Sequence, residues 1–192
     1  MTEFWTLISF GLLFAVALYP ILSWFMASPR RAALIAVMIG IAHQALLQKT
    51  SINLMLVAIL ESLPVTMVVY GAAYLARPFG LNLQPWSKAE LTIAILAGLL
   101  LMLSGTGVIS FDIYRYGYEP RPVAIMAGCL AVLAHWRQQV LLSLSIPLAL
   151  LLWLFDIASS NFFDQIFHPL WFMPLLYGFS KRQRTAKKPT SS

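Results

Sequence analysis

Seven long apolar runs, separated by short polar stretches, constrain this chain more than any other feature of its sequence. A helix that crosses a bilayer needs about 20 mostly apolar residues, and about 17 suffice when flanking side chains reach the interface. The runs therefore predict an all-α, polytopic bundle of about seven transmembrane helices. They are Phe4–Met26, Ala32–Gln48, Asn53–Ala76, Leu91–Ser110, Pro122–Trp136, Gln139–Phe155 and Phe162–Phe179.

The composition agrees with a lipid environment. Hydrophobic residues make up 60% of the 192 positions and charged residues 10%, with a mean hydropathy of +0.79. Soluble domains carry about 45–50% apolar and about 25% charged residues, so a water-soluble chain of this length could not bury so much apolar surface. Cys129 is the single cysteine, which excludes an intrachain disulfide and a cysteine-rich metal site.

The basic residues orient the chain, because cytosolic loops of membrane proteins carry an excess of lysine and arginine. With the N-terminus outside and seven spans, ten basic residues lie inside and three outside. In a six-span alternative, Pro122–Trp136 does not cross, the N-terminus is inside, and the counts are nine and four. We favour seven spans, because the alternative exports the Arg30–Arg31 pair directly beside the first helix. Both versions place the C-terminus in the cytosol.

The sequence predicts one transmembrane domain, residues 1–180, and a disordered basic cytosolic tail, residues 181–192. The first apolar run lacks a basic leader and is too long for a cleavable signal core, so we expect a retained helix. The net charge of +6 is explained by topology rather than by nucleic-acid binding. The expected partners are the bilayer of a bacterial inner membrane and other membrane proteins. Anionic lipid should contact five tail residues, Lys181, Arg182, Arg184, Lys187 and Lys188.

The stretch "SGTGVISFDIYRYGYEPRP" at 104–122 gathers unusually many polar groups for so apolar a chain. In the seven-span threading it forms an outer loop, and the other polar residues also fall in the outer half of the bilayer. This distribution is typical of a cleft that opens outwards. The candidate functional residues are Glu61, His43, Asp112, Arg115, Glu119, Asp156, Asp164 and His168.

Glu61 is the strongest of these candidates, because a charged carboxylate deep in a membrane costs about 2.5–3.5 kcal/mol without a partner or water. The alternative is a neutral acid that bonds a carbonyl freed by Pro64. A hydrated interfacial histidine would account for His43 equally well. The alternating charges of the 112–121 segment suit a clamp for a headgroup or partner protein, or else a self-neutralising surface loop.

No metal or cofactor is predicted. Asp156, Asp164 and His168 offer oxygen and nitrogen ligands, but their spacing matches no metal motif, and Pro169 disfavours helical geometry at His168. The "SGTG" stretch lacks the G-x-S-x-G pattern of a nucleophile turn, and no nucleotide-binding or metalloprotease motif is present. The catalytic residues, if the protein is an enzyme, stay unknown.

Three functions remain open from the sequence. The first is a non-catalytic accessory or assembly subunit of a bacterial envelope complex, which fits the small size, the missing catalytic motifs and the charged outer loop. The second is a small transporter or channel component that uses Glu61 and proline-broken helices. The third is a lipid- or polyprenol-modifying enzyme whose acid–base groups come from Glu61, Asp112, Asp156 and His168.

Overall fold

The computed structural model describes residues 2–47, 50, 63–81, 87–157 and 159–167. Across these residues the chain is all-α and contains no strand. Two short 3₁₀ turns, Arg77–Phe79 and Tyr114–Tyr118, accompany the α-helices. The helices are α1 (Thr2–Phe25), α2 (Pro29–Leu47), α3 (Val65–Ala76), α4 (Lys88–Gly105), α5 (Pro120–Trp136), α6 (Val140–Leu154) and α7 (Phe162–Ile166).

Helices α1 and α2 form an antiparallel hairpin. Among the described helices they alone are long and apolar enough to cross a membrane, over Glu3–Phe25 and Pro29–Leu47, with mean hydropathies of 2.0 and 1.3. Their backbones approach closely where two glycines meet: a Cβ built on Gly11 would lie 3.2 Å from the carbonyl oxygen of Gly40. Small residues at such a crossing allow apolar helices to pack without a hydrophobic driving force between them.

Of the remaining described helices, α4, α6 and α7 end inside the apolar runs that predicted them, whereas α5 begins two residues before its run. Within the described part of the third run, Pro64 is extended (φ −63°, ψ 145°) and α3 begins at Val65. The fourth run is helical only as far as Gly105, and Gly107 then adopts a left-handed conformation with φ +73°. In the described part of the seventh run, α7 has five residues and Phe167 is extended. The described helices confirm the all-α fold, and seven spans remain a prediction.

Helices α1 to α6 alternate in direction, so the chain reversals gather at two ends of the molecule. At one end the Arg30 side chain donates from Nε to the Pro78 carbonyl oxygen at 2.9 Å, and Arg137 contacts Glu90 at 3.3 Å. We call this the basic end, residues 26–31, 77–81, 87–90 and 135–140. Its charged residues are Arg30, Arg31, Arg77, Lys88 and Arg137, with Glu90.

The opposite end holds the start of α1 and the loops around α7. The Thr66 hydroxyl donates to the Ile166 carbonyl oxygen at 2.6 Å, and Trp5 packs against the cluster that contains Phe162. We call this the acidic end, residues 2–6, 63–66, 104–121 and 155–167. Its charged residues are Glu3, Asp112, Glu119, Asp156 and Asp164, with Arg115 and Arg121.

The buried core joins α3, α5, α6 and α7 through Val65, Val123, Ile146 and Phe162, and a smaller cluster holds α3 against the α1–α2 hairpin. The outer faces of the helices carry large exposed apolar side chains, such as Met38 (70% exposed). Apolar faces this extensive are unusual on soluble monomers and typical of a lipid-facing surface.

Candidate functional site

The predicted loop at 104–122 meets the connection between α6 and α7 in the structure, and together they form a polar cluster at the acidic end. Two connections supply it, the one from α4 to α5 and the one from α6 to α7. We call it the acidic-end cluster, and it consists of Ser104, Tyr114, Ser159, Asn161 and Asp164.

Ser104 fastens the first connection to the end of α4. Its buried hydroxyl oxygen accepts hydrogen bonds from the amides of Ile113 at 2.6 Å and Tyr114 at 3.2 Å. The same hydroxyl donates to the Phe111 carbonyl oxygen at 3.2 Å. Gly105 leaves room for the tyrosine ring, since a Cβ there would lie 3.3 Å from Cγ of Tyr114. The side chain of Tyr114 is thereby aimed at the second connection.

Tyr114 and Asp164 make the contact between the two connections. The tyrosine hydroxyl donates to Oδ2 of Asp164 at 2.5 Å, and the Ser159 hydroxyl donates to the same oxygen at 3.0 Å. Burial of the ring and the hydrogen bond to the carboxylate both raise the pKa of Tyr114 well above its usual range. Tyr114 therefore stays protonated and acts as a donor.

Asn161 provides a second contact and is fully buried. Its Oδ1 accepts from the Phe163 amide at 2.8 Å and caps α7, while its Nδ2 donates to the Tyr114 carbonyl oxygen at 3.0 Å. Gly117 makes this position possible, because a Cβ on Gly117 would overlap Oδ1 of Asn161 and lie 2.8 Å from Cδ2 of Phe163. The close approach, rather than an unusual backbone conformation, requires glycine here.

The charged residues of the first connection lie outside this cluster, on its surface. Oδ1 of Asp112 accepts from the Arg115 amide at 3.0 Å and thereby starts the 3₁₀ turn. Arg115 and Glu119 form an exposed ion pair, with Nε and Oε1 3.6 Å apart. An exposed pair of this kind contributes little to stability, so these charges are available for contacts with other molecules.

Asp156 occupies a position with a specific backbone requirement. Its backbone adopts the left-handed conformation, with φ +53°. The Asp156 amide donates to the Trp153 carbonyl oxygen at 3.1 Å, and the Ile157 amide donates to that of Leu152 at 2.8 Å. These bonds form the Schellman motif that ends α6, and aspartate tolerates the left-handed position better than most residues. The structure thus gives Asp156 a role in ending a helix, outside the acidic-end cluster.

His43 lies in the α1–α2 hairpin. Its ring stacks on Phe14, with centroids 4.2 Å apart and planes 7° apart. Its buried Nδ1 has no hydrogen-bond partner among the described residues. The other candidates, Glu61, His168 and the five basic tail residues, fall outside the described ranges, so the roles predicted for them remain predictions.

A second polar group, which was not among the residues predicted from the sequence, lies at the basic end. Glu90 and Ser87 form a reciprocal capping box at the start of α4: Oε2 of Glu90 accepts from the Ser87 amide at 2.6 Å, and the Ser87 hydroxyl accepts from the Glu90 amide at 3.2 Å. Arg137 donates from Nε to Oε1 at 3.3 Å, and Gln139 donates from Nε2 to Oε2 at 3.2 Å. The stretch "SKAE" before an apolar run is the sequence signal for this motif.

These contacts determine the ionisation of Glu90. The hydrogen bond from the Ser87 amide lowers the pKa of Glu90 most, burial opposes it, and the bonds from the Ser87 hydroxyl, Arg137 and Gln139 lower it further. The carboxylate is therefore charged at neutral pH. A cavity of about 550 Å³ lies beside it, lined by Ser87, Glu90, Leu133, Trp136, Arg137, Gln138 and Gln139.

Within the described ranges, no group of three or more histidine, cysteine, aspartate or glutamate side chains is placed to hold a metal ion. The fold and these two polar groups define the class: an all-α protein with two helices long and apolar enough to cross a membrane. No protein-family model, no curated protein and no solved structure matches the chain.

Proposed function

We propose that this protein is a multi-pass protein of the bacterial inner membrane and serves as a non-catalytic accessory or assembly subunit of an envelope complex. One observation carries the proposal. At the acidic end, the buried polar groups bond one another and hold the charged 3₁₀ turn as an ordered element on the surface.

The charges at the two ends of the fold support the membrane orientation that this function requires. The basic end carries five basic residues and one acidic residue, whereas the acidic end carries five acidic residues and two basic ones. Basic residues are retained on the cytosolic side, so the basic end belongs in the cytosol and the acidic end outside. Helices α4 and α5, of 18 and 17 residues, are about 27 and 26 Å long. Those lengths approach the roughly 30 Å of a bilayer core.

The 3₁₀ turn has the features of a contact surface for another protein. Ser104, Asn161 and the Tyr114–Asp164 bond hold it from below, so little conformational freedom is lost when a partner binds. Arg115 and Tyr118 are exposed on it, and arginine and tyrosine are enriched at protein interfaces. We therefore assign partner binding to the exposed side of Asp112–Glu119.

Site-specific photo-crosslinking in the native host tests this assignment. A photoreactive amino acid in place of Tyr118, which is 52% exposed, should give one discrete higher-mass product. The matched control carries the same amino acid at Met38, an exposed position on α2, and should give lipid adducts only. The double variant Arg115→Glu/Glu119→Arg keeps the ion pair and the net charge but reverses its direction. It should abolish the Tyr118 product while leaving the protein level unchanged.

Two outcomes would overturn the proposal. Lipid adducts alone at Tyr118, or a protein adduct indifferent to the reversed ion pair, would mean that this surface does not select a partner. The transporter hypothesis predicts instead that Glu61→Gln abolishes flux into reconstituted vesicles. The enzyme hypothesis predicts a changed lipid or glycan profile in a deletion strain under envelope stress.

A further inference from the structure

The cavity at the basic end adjoins a shallow apolar groove on α5. The groove has a volume of about 530 Å³ and is lined by Ala124, Ile125, Gly128, Cys129, Val132, Leu133 and Trp136. Leu133 and Trp136 also line the polar cavity, so the two spaces adjoin. A polar cavity beside a shallow apolar groove has the form of a site for an amphipathic molecule.

The polar part presents one positive and one negative group. The Glu90 side chain is 19% exposed and is held by Ser87 and Gln139, while the Arg137 side chain is 57% exposed. Within the described residues, only Nε of the Arg137 guanidinium makes a hydrogen bond. Its two terminal amino groups keep their donors, which suit a phosphate. Oε1 of Glu90 accepts one bond from the described residues and can accept another from a cation.

The apolar part has the length for a hydrocarbon chain. From Trp136 to Ala124 the groove follows thirteen residues of α5, about 18 Å at the helical rise. That distance is close to half of the roughly 30 Å hydrocarbon core. At its middle a Cβ on Gly128 would meet nothing within 4 Å, so the space beside the helix is open.

We propose that this cavity and groove bind one phospholipid whose headgroup combines a phosphate with a primary amine. The phosphate takes the free donors of Arg137, the ammonium lies at Glu90, and one acyl chain occupies the groove along α5. A zwitterionic headgroup matches the pair of opposite charges, whereas an anionic headgroup would leave Glu90 facing negative charge. The inference requires that the helices lie in a bilayer and is independent of the partner proposed for the acidic end.

Cys129 provides a probe in the unmodified protein, because it lines the groove and its thiol is free and exposed. In detergent micelles, N-ethylmaleimide should alkylate it readily. Added dioleoylphosphatidylethanolamine should slow the alkylation by about tenfold or more, the effect of a charge-assisted headgroup contact on occupancy. Dioleoylphosphatidylglycerol should protect far less. Free phosphoethanolamine, which has the headgroup without the chains, should not protect.

Variants separate the headgroup contact from the groove, with the retained lipid counted by native mass spectrometry. Arg137→Gln should reduce the phosphatidylethanolamine bound, and Glu90→Gln should remove the preference over phosphatidylglycerol. Gly128→Leu projects into open space, so it should keep the fold and empty the groove. Arg31→Gln, which removes a charge from the same end but not from the cavity, should change nothing.

Three results would overturn the inference. Equal protection by both lipids would show that the site does not select a zwitterionic headgroup. Protection by free phosphoethanolamine would show that binding does not need the acyl chain. Full retention of phosphatidylethanolamine by Gly128→Leu, with an unchanged circular dichroism spectrum, would show that the groove does not hold the lipid.

Discussion

Gly117→Ala is the substitution for which the structure predicts the clearest mechanism. The added Cβ would overlap Oδ1 of Asn161 and come within 2.8 Å of the Phe163 ring. Asn161 is fully buried between the two connections of the acidic end, so its side chain must leave its place. Both of its hydrogen bonds, to the Phe163 amide and the Tyr114 carbonyl oxygen, would then be lost.

The expected cost follows from these two bonds. Loss of the cap on α7 costs about 0.5–2 kcal/mol, and loss of the second bond about 0.5–1.5 kcal/mol. We therefore expect Gly117→Ala to lower the free energy of unfolding by about 1–3.5 kcal/mol. The matched control is Gly128→Ala, whose Cβ meets nothing. It should be neutral or stabilise α5 by up to about 1 kcal/mol, because alanine is the better helix former.

A double-mutant cycle tests whether displacement of Asn161 causes the destabilisation by Gly117→Ala. Unfolding would be followed by tryptophan fluorescence in mixed micelles of a mild detergent and SDS. If the clash acts through Asn161, Gly117→Ala should cost less in an Asn161→Ala background than in the native protein, because the bonds are already absent and only the close contact with Phe163 remains. Additive effects of the two substitutions would refute the reasoning, and so would a Gly117→Ala protein as stable as the Gly128→Ala control.

Four further predictions follow from single contacts, each measured by the same unfolding assay. Gly40→Ala should destabilise the α1–α2 hairpin by about 1–3 kcal/mol, because its Cβ would overlap the Gly11 carbonyl oxygen. Asp156→Gly should be neutral or stabilising, whereas Asp156→Val should cost about 1–2 kcal/mol at this left-handed position. Loss of function in a stable Asp156→Gly protein would show that the Asp156 carboxylate has a chemical role. The pKa of Glu90 lies below its ordinary value of 4.5, so its ionised form stabilises the fold above pH 4.5. That stabilisation is lost as the pH falls through the lowered pKa. Glu90→Gln should therefore make the stability less dependent on pH in this acid range. The pKa of Tyr114 is raised rather than lowered. The stabilisation of the fold by protonated Tyr114 should therefore be lost as the pH rises above the ordinary pKa of 10.0, and Tyr114→Phe should remove that loss.

The all-α fold could be predicted from the sequence because apolar runs of helical length leave few alternatives. The run Phe4–Met26 differs from α1 by only a few residues at its ends. Within the described residues, local backbone conformation can end a helix inside an apolar run. In the fourth run α4 ends at Gly105 and Gly107 is left-handed, and a hydropathy average does not register the conformation of one residue.

The acidic end was predicted as a set of polar residues on one side, but its contacts were not. Tyr114 and Asp164 are fifty positions apart, and a count of charges predicts a shared side without predicting a hydrogen bond. Glu90 was missed because it is a single acidic residue among basic ones, although the "SKAE" pattern marks it. The contacts of Arg137 and Gln139 with it depend on how α5 and α6 pack, which periodicity alone does not determine.

Membrane sidedness is the central claim, because the proposed partner site at the acidic end must lie on the side of the membrane away from the cytosol. Single-cysteine labelling in intact cells tests it in a Cys129→Ala background. Val108 at the acidic end and Ala27 at the basic end are both exposed, so either introduced thiol is accessible from its own side. An impermeant maleimide should label Val108→Cys and spare Ala27→Cys until the membrane is permeabilised. Labelling of Ala27→Cys with protection of Val108→Cys would place the acidic end in the cytosol and contradict the account.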